Sequence, residues 1–233
     1  MPACNSPSPR NGHRGNLIAW SLTLLAGMVV GFWPEAIYLP HISTASPVLP
    51  VLETLAVAQV SYLLLGYPLV LWSRRRCGAK GSYLTAAGEA GLMLLTGLPL
   101  LIVGAFFSDG GWHDVLRVEL LCVTLLPLSL AAGLGAAQPY RRSIVSLLML
   151  LLTVGLPAAW YIATEFVPVA DSSWLWQPGP ATYAWQNAQR GPGWLVQPLW
   201  PAMIYLGAGL AWMAADGLLR GAPSRKTSGE DQD

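Results

Sequence analysis

Apolar and polar positions fall in long blocks along this chain. They show neither the two-residue rhythm of strands nor the one-sided stripe of a soluble amphipathic helix. Apolar runs cover residues 17–38, 51–72, 84–107, 115–137, 143–166 and 199–219. Each meets the roughly 20 residues that a helix needs to cross a hydrocarbon core of about 30 Å. The pattern predicts an all-α membrane protein with six transmembrane helices in a domain at 17–220. A Pro/Ser/Asn-rich stretch at 1–16 reads as a disordered tail, and 221–233 as a second polar tail. The first run exceeds the ~7–15 residue apolar core of a signal peptide and has no small-x-small cleavage site directly after it, so it reads as a retained span. Gly27 and Gly31 within it form a GxxxG pair, which permits close helix packing.

Between the fifth and sixth runs, residues 167–198 break the pattern with Trp174, Trp176, Trp185 and Trp194 among Pro168, Pro178, Pro180, Pro192 and Pro198. Indole rings favour the lipid–water boundary, where the ring is half buried and its N–H stays wet. The segment therefore reads as a partly helical, re-entrant cap. Basic residues orient it. Arg10, Arg14, Arg74, Arg75, Arg76, Lys80, Arg141, Arg142, Arg220, Arg225 and Lys226 fall on one side of the six runs, and only Arg117 and Arg190 on the other. By the excess of Lys and Arg in cytoplasmic loops, both termini are expected inside and the cap outside.

Composition agrees with this reading. Charged residues make up 11% and hydrophobic ones 54% of 233 residues, against roughly 25% charged in soluble domains. No polar stretch is long enough to bury a core of its own, so a soluble catalytic or nucleotide-binding part belongs to another chain. Cys4, Cys77 and Cys122 lack metal-ligand spacing, and His13, His41 and His113 are dispersed and read as solvated loop residues. No GxSG serine, HExxH helix, Walker A loop or GxGxxG turn is present, so the chain is not expected to be an enzyme or to hold a cofactor.

The acidic residues lie toward helix ends, with Glu53, Glu119 and Glu165 on the outer side and Glu89 and Asp216 on the inner. They read as solvated, and the lack of charge at mid-helix argues against ion-coupled transport. Glu89 is the exception, because it opens the third run beside Arg74–Lys80 and can pair with that loop. Pro99, Pro127 and Pro157 interrupt the third, fourth and fifth runs and predict kinks.

Residue detail adds a family likeness. Lys80-Gly81-Ser82-Tyr83-Leu84-Thr85, then Gly97-Leu98-Pro99-Leu100, the small-residue run Ala131–Ala137 and the Trp174-Leu175-Trp176-Gln177-Pro178 stretch leading to Pro180 and Ala184 stand in order along the chain. With the six-span layout, this resembles the ABC-2 type transporter permeases, including the heme-exporter-B branch. The sequence departs from the family at two places: Arg74–Arg76 occupy a region that often carries an acidic residue, and no amphipathic elbow helix is visible before the first span. The resemblance implies a bacterial inner-membrane exporter subunit that pairs with itself or a related permease. A separate cytoplasmic ATPase would bind the ATP. It also implies roles: Arg74, Arg75, Arg76, Lys80, Leu84 and Glu89 as the loop that couples to the ATPase, and Glu165, Trp174, Trp176, Trp185 and Trp194 as an outer gate. No nucleic-acid partner is expected. Two other readings stand beside it. One is a non-transporting scaffold or assembly factor. The other is a lipid-acting enzyme using Glu165, Asp171 or His113.

Overall fold

The computed structural model describes residues 9–38, 50–76, 82–108, 110–135, 138–159, 179–188 and 200–221. Seven helices are found among them: α1 (Pro9–Tyr38), α2 (Val51–Arg76), α3 (Tyr83–Phe107), α4 (Trp112–Gly135), α5 (Pro139–Ala159), α6 (Pro180–Ala188) and α7 (Trp200–Gly221). Five of them are long and apolar enough to cross a membrane: α1 from His13 to Trp33, and α2 to α5. α7 has 22 residues.

Several boundaries differ from expectation. α2 continues to Arg76, not 72, so Arg74, Arg75 and Arg76 form its last turn and do not lie in a loop, and α4 begins at Trp112, not 115. α1 begins at Pro9, not at 17, so half of the supposed disordered tail is helical; the reason is that Asn16 is buried and hydrogen bonded, which carries the helix back past the apolar run. α5 begins at Pro139, not at 143. A proline at the first helical position gives up no hydrogen bond, and its fixed φ suits the first turn.

α2 and α4 form the centre. Their apolar windows are 56% and 61% enclosed, whereas that of α5 is 17% enclosed and lies at the edge. Glycines set how closely the neighbours approach. A Cβ at Gly27 of α1 would lie 2.8 Å from Ala58 Cβ, and one at Gly31 would lie 2.7 Å from Val51 Cα. The GxxxG pair thus packs α1 on α2. On the other side of α2, Gly104 of α3 accommodates Leu55. Without a hydrophobic driving force between helices in lipid, such close backbone approach supplies the van der Waals contact that holds a bundle together. α7 packs along α4, with Gly209 against the backbone of Pro127 and Leu128.

Proline acts in two different ways here. Pro99 and Pro127 sit in unbroken α-helix, but Pro68 and Pro157 each follow a π turn, at Tyr62–Gly66 and Leu151–Gly155. In the first π turn the Tyr67 N–H donates to Tyr62 O, five residues back. Continuing that register would give Leu63 O to the N–H of residue 68, which proline lacks. Ser129 of α4 fills the gap, its hydroxyl donating to Leu63 O.

Inter-helix bonds define two ends of the bundle. At the basic end the Trp72 indole donates to Ala132 O at 3.0 Å and the Tyr83 hydroxyl to Asp216 Oδ2 at 2.7 Å. The start of α3 is capped there by Ser82, whose Oγ accepts from the Leu84 N–H. At the opposite end Leu52 N–H donates to Ser108 Oγ at 2.8 Å. The helix between the fifth and sixth apolar runs, α6, packs at this end against α2 and α4, burying Ala181, Tyr183, Ala184 and Ala188.

Candidate functional site

The most developed polar structure lies at the basic end, where α1, α2 and α3 meet. Glu89, one and a half turns into α3, is 8% exposed. Arg74, near the end of α2, holds it with both guanidinium arms, Nη1 to Oε2 at 2.5 Å and Nη2 to Oε1 at 2.7 Å. α1 adds two groups. Asn16 Nδ2 donates to Glu89 Oε1 at 2.8 Å, and His13 Nδ1 stands 3.3 Å from the same oxygen. Tyr62 closes the cluster by donating its hydroxyl to Asn16 Oδ1. One helical turn and a half along α2, the Tyr67 hydroxyl donates to Ala86 O at 2.6 Å.

This geometry follows from local sequence. Arg74 and Glu89 flank the short connection between α2 and α3, so an antiparallel hairpin brings them level. The planar guanidinium fork matches the two carboxylate oxygens, which is the strong form of a charged hydrogen bond. Burial makes the pair costly to open, since either charge left alone would remain in an apolar setting. The arrangement can lock the first three helices together at the loop that joins α2 to α3. It offers no nucleophile or metal set: no group of three or more His, Cys, Asp or Glu suited to a metal occurs among the described residues.

The residues predicted for this end divide. Arg74 and Glu89 are brought together, as expected from their spacing. Arg75 is half-buried, Arg76 is exposed, and Leu84 is 82% exposed. Lys80 lies outside the described residues, as do Glu165, Trp174, Trp176 and Trp194 of the predicted outer gate. Trp185 lies on α6 and is half-buried. On the same helix, burial pushes the Tyr183 phenol up from its ordinary value.

Sequence reasoning missed Asn16, Tyr62 and Tyr67 and placed His13 in a polar connection; it lies on α1 within reach of Glu89, with its side chain exposed as expected. It also placed the acidic residues other than Glu89 in solvent. Asp114 is 8% exposed, and the Oε1 atom of Glu119 is buried as well. The available signal was an asparagine at the edge of an apolar run, where a buried polar group needs a partner.

A second feature flanks the first π turn. An apolar cleft of about 260 Å³ opens between α2 and α5, lined by Leu64, Pro68, Trp72, Met149 and Leu150 among others. Comparison of the chain with protein-family models, with curated proteins and with solved structures gives no match in any of the three.

Proposed function

We propose that this chain is the membrane-spanning permease subunit of an ABC-2 type ATP-driven exporter. In this reading it crosses the bacterial inner membrane six times, α7 being the sixth span, with both termini in the cytoplasm. It works as a homodimer or with a related permease, and a separate cytoplasmic subunit binds and hydrolyses ATP. The sequence likeness motivates the reading, and one observation carries it: the Arg74–Glu89 pair ties the α2–α3 connection to α1 through Asn16. A push on that connection then moves three helices as one body, as rigid-body switching requires. The placement of α6 against α2 and α4 at the opposite end suits a segment that enters and returns between the fifth and sixth spans.

The test is co-purification of the full chain with an ATPase of the same organism, followed by replacement of Arg75 and Arg76 by alanine. The expected result is a stable complex whose ATPase stimulation falls in the variant, with the fold intact. Absence of any ATPase partner, together with association with one other membrane complex, would replace this reading by that of a scaffold.

A further inference from the structure

The interior of the bundle holds polar groups that the node at the basic end does not use. Glu119 lies two turns into α4. Its carboxyl is close enough to interact with the Gln59 side chain of α2. Gln59 is fully buried, and its Oε1 accepts from Cys122 Sγ at 3.5 Å. Yet Gln59 Nε2 and Glu119 Oε1 are both buried with no hydrogen-bond partner among the described residues. Trp20 Nε1 of α1, in a residue 1% exposed, is a third such atom. It belongs to the same locality: a Cβ at Gly97 of α3 would lie 2.9 Å from Gln59 Nε2 and 3.1 Å from Trp20 Cζ2. Four helices therefore converge on a carboxyl, a carboxamide, a thiol and an indole.

Among the described residues no cation is paired with the carboxyl. Arg117, on the same helix, is paired with Asp114. The titratable groups on α4 and on the elements packed against it include Cys122 of α4 itself, the phenols of Tyr183 on α6 and Tyr205 on α7, and, toward the helix starts, the carboxyls of Glu53 on α2 and Asp114 on α4. The thiol and both phenols are neutral at ordinary pH, and the two carboxyls bring no positive charge. An ionised carboxylate without a cation is expensive at such a place, whereas the neutral acid gains a donor. A carboxylic acid and a carboxamide can then face each other with complementary donors and acceptors, which leaves neither side's buried atoms unmet.

We propose that Glu119, with Gln59, forms a proton-binding site within the membrane-spanning bundle. Glu119 carries the proton, Gln59 recognises the protonated form, and the Trp20 indole closes the site toward α1. The inference needs the chain to span a membrane, but it does not need an ATPase partner.

The experiment treats the purified full chain in lipid nanodiscs with dicyclohexylcarbodiimide, which modifies protonated carboxyls in apolar surroundings, and maps the label by peptide mass spectrometry. Label is expected on Glu119 at neutral pH, with loss of that label as pH is raised and in Glu119→Gln, and little or none on Glu53 or Asp114. Infrared spectroscopy of the unmodified wild type provides a second readout that needs no variant: a protonated-carboxyl carbonyl band that disappears as pH is raised. Absence of both the label and the band at neutral pH overturns the proposal. An unlabelled Glu119 does not touch the exporter reading, and failure to find an ATPase does not touch this one.

Discussion

Two carboxylates in neighbouring helices meet opposite fates in this bundle. Glu89 of α3 is buried at the basic end and is held by Arg74, Asn16 and His13 from two other helices. Glu119 of α4, two turns from the start of its own helix, has Gln59 beside it and keeps a buried oxygen with no hydrogen bond among the described residues. The difference lies in what the facing helices supply at each site. A guanidinium at the end of a span keeps one face toward water and can remain charged, while the described groups beside Glu119 are a neutral amide, a thiol and an indole. Glu89 is therefore built to stay ionised as a fastener, and Glu119 to be neutral.

Substitutions that separate these two cases should differ most at Glu89. Glu89→Ala strands Arg74 in a partly buried site and is expected to cost about 3–5 kcal/mol, read from unfolding in detergent. Replacing Arg74 and Glu89 together by methionine should recover much of that loss, because no uncompensated charge remains. If the single and double variants unfold alike, the pair is not the fastener.

Next in size is a purely steric contrast. A Cβ at Gly209 would come within 2.3 Å of Leu128 N and 2.6 Å of Pro127 C, both backbone atoms that cannot turn aside, whereas Gly207 on the same helix has open space. Gly209→Ala should destabilise by about 1–3 kcal/mol, as overpacking does, and Gly207→Ala should be neutral or slightly stabilising through better helix propensity. Equal effects would show that α7 does not dock on α4 through Gly209.

Ser129→Ala leaves the Leu63 carbonyl, already deprived of a donor by Pro68, without its replacement hydroxyl. Polar contacts between membrane helices average about 0.6 kcal/mol and reach about 1.7, and the upper part of that range is expected here. The check is the same unfolding midpoint, with Ser129→Thr expected to retain more stability than Ser129→Ala.

The smallest effect is expected at the other member of the opening pair. If Glu119 is neutral in the folded protein, Glu119→Gln exchanges one uncharged hydrogen-bonding group for another and should shift stability by less than about 1 kcal/mol at neutral pH. A loss as large as that of Glu89→Ala would mean that both carboxylates work as charges, and the contrast between them would collapse.

Much of this was legible in the primary structure, and the reasons for the rest are specific. The Arg74–Glu89 contact could be anticipated because the two residues flank one short connection, so chain connectivity alone brings them level. The role of Gly27 and Gly31 in packing could be anticipated for a similar local reason, since they share a helix face. Asn16 with Glu89, 73 positions apart, could not, because their meeting depends on how α1 is rotated against α2 and α3. The π turn at Tyr62–Gly66 escaped notice too: Pro68 marks the place, but Pro99 and Pro127 lie in regular helix. At Pro68 the freed Leu63 carbonyl is met by Ser129 of a facing helix, a partner the sequence does not place there.

Block hydropathy by itself determined that this chain forms apolar helices of membrane-spanning length, because lipid leaves a backbone no partner but itself and helices satisfy it locally. The choice of centre, with α2 and α4 enclosed and α5 at the edge, was decided only by tertiary structure. So was the fate of each polar side chain. An aspartate, glutamate or asparagine near a span's end looks the same in sequence whether it meets water, an arginine or an amide. Which of these it meets is set by the rotation and position of helices far away in the chain, and that geometry separates Glu89, fastened by an arginine, from Glu119, which faces an amide.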